Sequence, residues 1–476
     1  MRRLFALIMV FVFVLSLAAC SNGKDKDQAT VVKTDEKETS TETTAPTTEI
    51  ETEVVDPYPA FDMGGRTINI GQWFDRYYDS NHTSISDNPN LTNEETAKMQ
   101  LENVRRIEKK YNVKIVSHNL AWAGVVESLN TSVAAGTPEM DVYTVDLQFG
   151  TPAIANGLAM PVSEYAPEYS DVTTNQTFMK TLEVLGDAYV FAPKTLASGG
   201  LFMGYNAEMI ESLGLEDPQS LYKKGEWTWE KFAEYALAAT KDLDGDGIPD
   251  QFGYAGISGT NYGFVYANNG VLAKPEKEAL SSKEVMEAYS FLDRLYNVDK
   301  SAKWFTETDD PNSENLYAWA KGNILFWGTR AWQLLAGVNN FGADFEYHIV
   351  PFPVGPSGDG SKTTPVGGQW YMIPKGVENP EQVYQIMEEY FNWFNFDTSY
   401  IYDTESFEQY FLNEKDMEIA LEAGGVDKEV LDVAFHVGFN LAEFDLAIVT
   451  GEKTVAQAVE EYKLILQDKL NSVFNK

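Results

Sequence analysis

The sharpest chemical signal in the chain is the run Asp242-Leu243-Asp244-Gly245-Asp246-Gly247-Ile248-Pro249-Asp250. Carboxylates at alternating positions converge on one point when the chain turns, and a glycine at the sixth place permits the turn. Asp242, Asp244 and Asp246 fill the first, third and fifth places, Ile248 offers a backbone carbonyl, and Asp250 stands at the ninth. This is the front of a Ca2+ loop. An EF-hand carries a bidentate Glu at its twelfth place, but that residue here is Gly253, so a further ligand must come from elsewhere. Four carboxylates this close repel one another without a cation. The expectation is Ca2+ as a structural clamp; the alternative is a solvated acidic turn.

Catalytic chemistry is harder to find. The sequence has no GxSxG elbow, no HExxH pair and no GxxxxGK[ST] loop. His82, His118, His348 and His436 stand far apart, with no pair at helical metal-ligand spacing. The single Cys excludes a disulfide framework and a cysteine zinc site. A glycosidase needs only two carboxylates, and 72 acidic residues are available. That is the rival enzyme class, and a surface adhesin is a third reading. The chain has 476 residues and a formal charge of −36. A body this acidic repels polyanions, so nucleic acid is not an expected partner. A basic patch for anionic lipid is equally disfavoured.

The N-terminus reads as an address. Arg2 and Arg3 precede Leu4 to Ala19, a run of 16 residues in which only Ser16 is polar. That is short for a membrane span, which takes about 20 residues, and suits the hydrophobic region of a secretory signal. It ends Leu17-Ala18-Ala19-Cys20-Ser21, which resembles the bacterial lipoprotein signal, with the only Cys where lipid would be attached. Residues 1–20 are therefore expected to be a signal peptide with a lipidated Cys20. The mature chain would sit on the outer face of a cell membrane, held by acyl chains such as palmitate. Residues 21–56 are rich in Thr, Glu, Lys and Ser and bury too little to order themselves, so they are expected to form a disordered tether.

The elements of the body alternate. Thr67–Gly71, Val113–Val116 and Asp141–Val145 read as strands, with helices between them. Thr92 with Glu95 has the form of a capping box, Thr228 caps a later helix, and Thr454 with Gln457 opens the last one. Strand, helix, strand implies an α/β class with parallel-type sheets and flanking helices.

Several segments in order carry a resemblance. Among them are Ala134-Ala135-Gly136-Thr137-Pro138-Glu139-Met140-Asp141-Val142, Gly204-Tyr205-Asn206-Ala207-Glu208-Met209 and Thr228-Trp229-Glu230-Lys231-Phe232. Lys321-Gly322-Asn323-Ile324-Leu325-Phe326-Trp327-Gly328 and Tyr371-Met372-Ile373-Pro374-Lys375-Gly376 follow. Together they resemble the carbohydrate-type, maltose-binding-protein-like extracellular solute-binding proteins of ABC importers. The resemblance implies a two-lobed periplasmic-binding-protein-like fold with a ligand cleft between the lobes. One lobe is expected from 57–193 plus 370–428 and the other from 199–366 plus 432–476, with the third crossing close to Asp427. It also implies a monomer that binds a sugar or oligosaccharide without turning it over and docks on an ABC permease. Ligand contacts are implied at Trp73, Asp146, Gln148, Trp327, Arg330 and Trp332, with Gln369 and Trp370 at the second crossing. Tyr262, in a loop rich in Gly, Asn and Ser, is a further candidate. The aromatic that stacks on sugar in the family falls at Arg330 here, which leaves open an acidic or phosphorylated ligand.

Overall fold

Central strand-forming runs such as Leu201–Tyr205 and Ile324–Trp327 are short and almost wholly apolar, which suits strands buried on both faces. The computed structural model describes residues 58–474, apart from 75–77, 89–90, 92, 164, 166–186, 194–199, 258–259, 306–317, 331–342, 344, 366–369, 396, 398–399, 401–410, 412 and 426–427. Cys20, the tether, Thr92, Trp332, Gln369 and Asp427 lie outside the described residues. The chain begins with β1 (Arg66–Gln72), α1 (Glu94–Tyr111), β2 (Val113–Asn119), α2 (Ala121–Ser128), β3 (Val142–Val145), α3 (Leu147–Ala155) and β4 (Val190–Phe191). It continues through β5 (Leu201–Asn206), α4 (Ala207–Ser212), α5 (Pro218–Lys224), α6 (Trp229–Ala239), β6 (Phe252–Ile257) and α7 (Tyr262–Tyr266). Next come β7 (Ala273–Lys274), β8 (Lys277–Glu278), α8 (Lys283–Asp293), β9 (Ala302–Phe305), β10 (Ile324–Arg330), β11 (Tyr347–Val350) and β12 (Thr364–Pro365). The last are β13 (Trp370–Met372), α9 (Pro380–Phe391), α10 (Glu414–Ala423), β14 (Glu429–Val430), α11 (Leu441–Val449) and α12 (Val455–Phe474).

Two five-stranded sheets result, ordered β2-β1-β3-β13-β4 and β11-β5-β10-β6-β9. The strand–helix–strand units pair in parallel: β1 with β2 and β3, β6 with β9 and β10. β13 and β5 run antiparallel to their neighbours. The sheets are thus mixed, and the cause is connectivity. Parallel strands all end at one edge of their sheet. A strand arriving from the other sheet enters at that edge and must run the opposite way. Leu201 opens β5 beside Arg330 at the end of β10, and Trp370 opens β13 beside Val145 at the end of β3. The connections between sheets therefore join their C-terminal edges, giving two lobes with those edges turned toward each other.

Each sheet is covered on both faces. In the first lobe Ile68, Ile70 and Val142 pack with Val104, Ile107, Val383 and Met387 of α1 and α9. The opposite face buries Tyr143, Val145 and Trp370 with Val125 and Ile154. Glu389 of α9 is fully buried, yet it receives Arg106, Tyr111 and, at 2.7 Å, Lys110 of α1, so its charge is matched. In the second lobe Phe232, Tyr254, Phe264, Tyr289 and Phe326 fill one face. Phe202, Trp327 and Ile349 meet Ile419, Ala420 and Ala423 of α10 on the other. This corrects the expected boundary, because α10 falls inside 370–428 but covers the second sheet. Its Asp416 accepts from Gln219 Nε2 at 2.7 Å and Ile349 N at 3.1 Å.

Local signals hold where side chains can reach. Thr228 accepts from Lys231 N, and Thr454 and Gln457 bond reciprocally at the start of α12. The cap of α1 is Asn93, accepting from Glu95 N and Thr96 N, one residue beyond the expected Thr92.

One buried carboxylate anchors the segment that follows α10 in the second lobe. Asp432 accepts from Leu272 N (2.7 Å), Ala273 N (3.1 Å), Ala434 N (3.0 Å) and Tyr266 OH (3.3 Å). Just before it, β14, which follows α10 in the second lobe, pairs in parallel with β12 as a short ribbon. Asp432→Ala orphans three buried amides, each worth about 1–3 kcal/mol when unsatisfied. We expect a total loss of about 2–4 kcal/mol by urea unfolding. A loss below about 0.5 kcal/mol would mean that the carboxylate is dispensable.

Candidate functional site

In open α/β sheets, ligands bind outside the carboxyl ends of the strands, and here those edges carry a distinctive set of side chains. Trp73 follows β1. It stands edge-on to Phe149 (5.9 Å, 73°) and to Phe74 (5.9 Å, 90°). Phe149 is in turn edge-on to Trp122 (5.5 Å, 84°). Asp146 follows β3 and caps α3 by accepting from Phe149 N (3.2 Å), while its other oxygen accepts from Trp122 Nε1 (3.1 Å). Burial raises the Asp146 carboxyl above its ordinary value, partly offset by these donors. Gln148, in the first turn of α3, is exposed.

Trp122 and Phe149 were not among the expected contacts. Trp122 is 43% exposed, unusual for so large an apolar ring. It is thrown outward by a turn after β2 in which Ala121 adopts φ +56°, a left-handed conformation that L-residues other than Asn and Asp rarely take. The available sequence signal was a Trp three residues past a strand end.

The second edge is less open. Arg330 ends β10 and is half-buried. Trp327 lies three residues earlier, buried beside Trp319 (ring centroids 6.2 Å apart). Trp370 is likewise buried, in the first lobe's core with Val145 and Met372. Both were expected as ligand contacts; in this structure both are buried, Trp327 within β10 and Trp370 at the cleft-side start of β13. Tyr262 opens α7, buried and edge-on to Phe435 (4.8 Å). The structure therefore brings Trp73, Asp146 and Gln148 together on the first edge, with Arg330 and Tyr262 on the second. Between the edges α3 packs against the turn at Phe435–Val437. His436 of that turn is fully buried, and burial alone pulls its imidazole down to about 3, so it is neutral.

Behind Tyr262 lies a buried polar knot. Tyr254 OH donates to Asn261 Oδ1 (2.9 Å) and Tyr289 OH donates to Asp445 Oδ1 (2.7 Å). A Cβ on Gly256 would come within 2.2 Å of Asn261 Oδ1, 2.7 Å of Tyr254 OH and 2.9 Å of Tyr296 OH, so only glycine fits there. Burial pushes the Asp445 carboxyl from 3.8 up to about 7.

The acidic loop sits elsewhere. It leads through the Lys241–Gln251 bridge into the N-terminal end of β6, the edge away from the cleft. Ligand oxygens of Asp242, Asp244 and Asp250 lie within 4.8 Å of one another, all exposed. Asp242 accepts from Gly245 N (2.6 Å) and Gly247 N (2.8 Å), and Asp250 from Leu243 N (2.7 Å). Gly245 and Gly247 have φ +82° and +89°. Asp246 stands outside that trio and accepts from Ile248 N at 2.7 Å. A Cβ on Gly253 would meet Ala236 Cα at 2.2 Å, so the twelfth place cannot hold a Glu. Three convergent carboxylates suit a hard cation but fall short of the six to eight oxygens that Ca2+ takes.

The family model for bacterial extracellular solute-binding proteins matches residues 88–396. Among curated proteins none matches. Several solved structures share the fold. UgpB from Mycobacterium tuberculosis, in complex with glycerophosphocholine, is 16% identical with a TM-score of 0.59, covering 79% of this chain and 95% of its own. A solute-binding protein from Thermotoga lettingae TMO, bound with α-D-tagatose, is 18% identical with a TM-score of 0.57, covering 85% and 100%. Lmo0181 from Listeria monocytogenes, in complex with cycloalternan, is 14% identical with a TM-score of 0.58, covering 86% and 99%.

Asp445 gives a testable pH dependence. Its folded form keeps a proton that the unfolded chain releases near 3.8, so the folded state is favoured below that window and loses stability as pH rises toward about 7. Asp445→Asn should flatten the fall in melting temperature between pH 5 and pH 8. An unchanged slope would place the titrating group elsewhere.

Proposed function

Because the chain belongs to the bacterial extracellular solute-binding protein family, we propose that it captures a carbohydrate between its lobes and delivers it to an ABC importer permease. The observation that carries the ligand class is the aromatic set Trp73, Phe149 and Trp122 around Asp146 at the first cleft edge. Flat rings suit the C–H faces of a pyranose, and a carboxylate suits its hydroxyls. α-D-Tagatose and cycloalternan in two structures of like fold support the same class. Arg330 on the facing edge favours a second reading, a sugar acid or phosphorylated solute, since a guanidinium holds such groups with two parallel hydrogen bonds. Glycerophosphocholine in a third structure agrees with that reading.

In this mechanism the open form meets solute, the lobes hinge together, and the closed form docks on the permease. Solute favours the closed form only by its difference in affinity for the two states. The chain itself makes and breaks no bond. Ca2+, held by Asp242, Asp244 and Asp250, would clamp the loop that feeds β6, with the remaining oxygens from backbone or water. Lipid on Cys20, with residues 21–56 as spacer, would keep the body at the outer membrane face as a monomer. Cys20→Ser should shift the protein from the membrane fraction into the medium; retention on the membrane would remove the lipid reading.

The solute reading is tested by melting the purified protein with D-tagatose, maltotriose, sugar acids and phosphorylated sugars, each with Ca2+ or EDTA. A solute at 100 times its Kd adds about 2.7 kcal/mol, and the sugar should be recovered unchanged. Trp122→Ala should weaken it about tenfold, and EDTA should lower the melting temperature with or without sugar. A cleaved sugar would point to a glycosidase, and a silent panel would end the carbohydrate reading.

A further inference from the structure

The turn after β2 breaks two local preferences in succession. Leu120 occupies the N-cap of α2 with no side-chain cap bond, at a place that favours Ser, Thr, Asp or Asn. Ala121 then takes φ +56°, a hand in which Cβ crowds the carbonyl oxygen. The other non-glycine residues of that hand among the described residues are Asn112, Asn269, Asn379, Asn395 and Lys300, and Asn tolerates it through local hydrogen bonds. Strain of this kind persists only where the surroundings over-determine it, and it gathers at functional sites.

The surroundings show what the turn achieves. β2 lies at the edge of the first sheet, with β1 next and β3 beyond, so β2 and β3 stand about 9.5 Å apart. Trp122 nevertheless donates to Asp146, which follows β3, and meets Phe149 of α3. The chain must therefore cross the end of β1. Leu120 makes the first half of that crossing. Its N–H donates to Gln72 O at 2.7 Å. Its side chain lies over Gly71, where a Cβ would come within 3.1 Å of Leu120 Cδ1 and 3.1 Å of Tyr143 Cδ1 of β3. A leucine spent on that packing cannot cap α2. Asn119 takes the part from one residue back, its Oδ1 accepting from Ala121 N at 3.1 Å. The left-handed turn at Ala121 then brings the Trp122 indole over to Asp146.

We propose that Asn119 and Ala121 are positioning residues for the solute, holding the Trp122 ring across the end of β1 in the orientation that a bound sugar meets. The inference rests on the solute-binding reading above. A glycine at 121 would fit the turn without strain, but it populates both hands about equally and would let the ring wander. The Cβ of Ala121 removes most of those alternatives, while Leu120 and Asn119 hold the one that remains. A ring fixed before the solute arrives loses less freedom on binding, and affinity gains by that difference. The strain falls on the unliganded fold. Stability and affinity should therefore respond to Ala121 with opposite signs.

Ala121→Gly, Asn119→Ala and Asn119→Asp test this. Unliganded Ala121→Gly should melt no lower than the wild type, because the strain is relieved. It should bind D-tagatose or maltotriose, whichever stabilises the wild type, about threefold more weakly. Asn119→Ala should weaken the same sugar, and Asn119→Asp, which keeps the acceptor, should not. In a Trp122→Ala background neither Ala121→Gly nor Asn119→Ala should weaken it further, since the ring they position is gone. Losses that add to that of Trp122→Ala, or an unchanged affinity in Ala121→Gly, would overturn the positioning role and leave the solute-binding reading intact. So would an Ala121→Gly protein that melts several degrees lower, because no strain would then reside there. Near-UV circular dichroism decides the case without a sugar. The difference between wild type and Trp122→Ala isolates the signal of the fixed ring, and Ala121→Gly should lose most of it. That loss, with no sugar shifting the wild type, keeps the positioning role and ends only the carbohydrate assignment; an intact signal overturns the role.

Discussion

A single buried carboxylate fixes the turn of the second lobe on which the first lobe's α3 rests. The chain leaves the ribbon of β12 and β14 and at once reaches Asp432, whose oxygens collect amides from Leu272, Ala273 and Ala434 and the hydroxyl of Tyr266. Desolvation is severe enough to push its carboxyl up to about 6 despite those donors. The position of the turn at Phe435–Val437 follows from that anchor, and α3 of the first lobe packs on the turn. The floor of the cleft is thus set by hydrogen bonds made entirely within the second lobe.

From the floor upward, the walls follow from strand direction. Parallel strands deliver their last residues to one edge, and the connections between lobes begin and end there. Residues just past a strand end, such as Trp73 and Asp146, therefore reach the cleft. Residues further back in a strand do not, because helices cover both faces of each sheet. This rule leaves Trp327 in the core, while Trp370, at the cleft-side start of β13, is buried by packing with Val145 and Met372.

The same rule marks what could be read from sequence. Strand–helix alternation and the caps at Thr228 and Thr454 were legible because they depend on period and local hydrogen bonding, whereas the two-lobed class came from the ordered segments that resemble solute-binding proteins. The packing of α10 on the second sheet was not, since its amphipathic stripe fits either lobe and only Asp416, with Gln219 and Ile349, decides between them. Trp122 escaped because its exposure depends on the backbone angle at Ala121.

The ribbon of β12 and β14 is a mechanical coupling. Thr364 is held beside Glu429 and Pro365 beside Val430. The segment that leads on to β13 is thereby fastened to the segment that leads to Asp432. A displacement of one is passed to the other, so the strand that Trp370 opens and the turn on which α3 rests share one support.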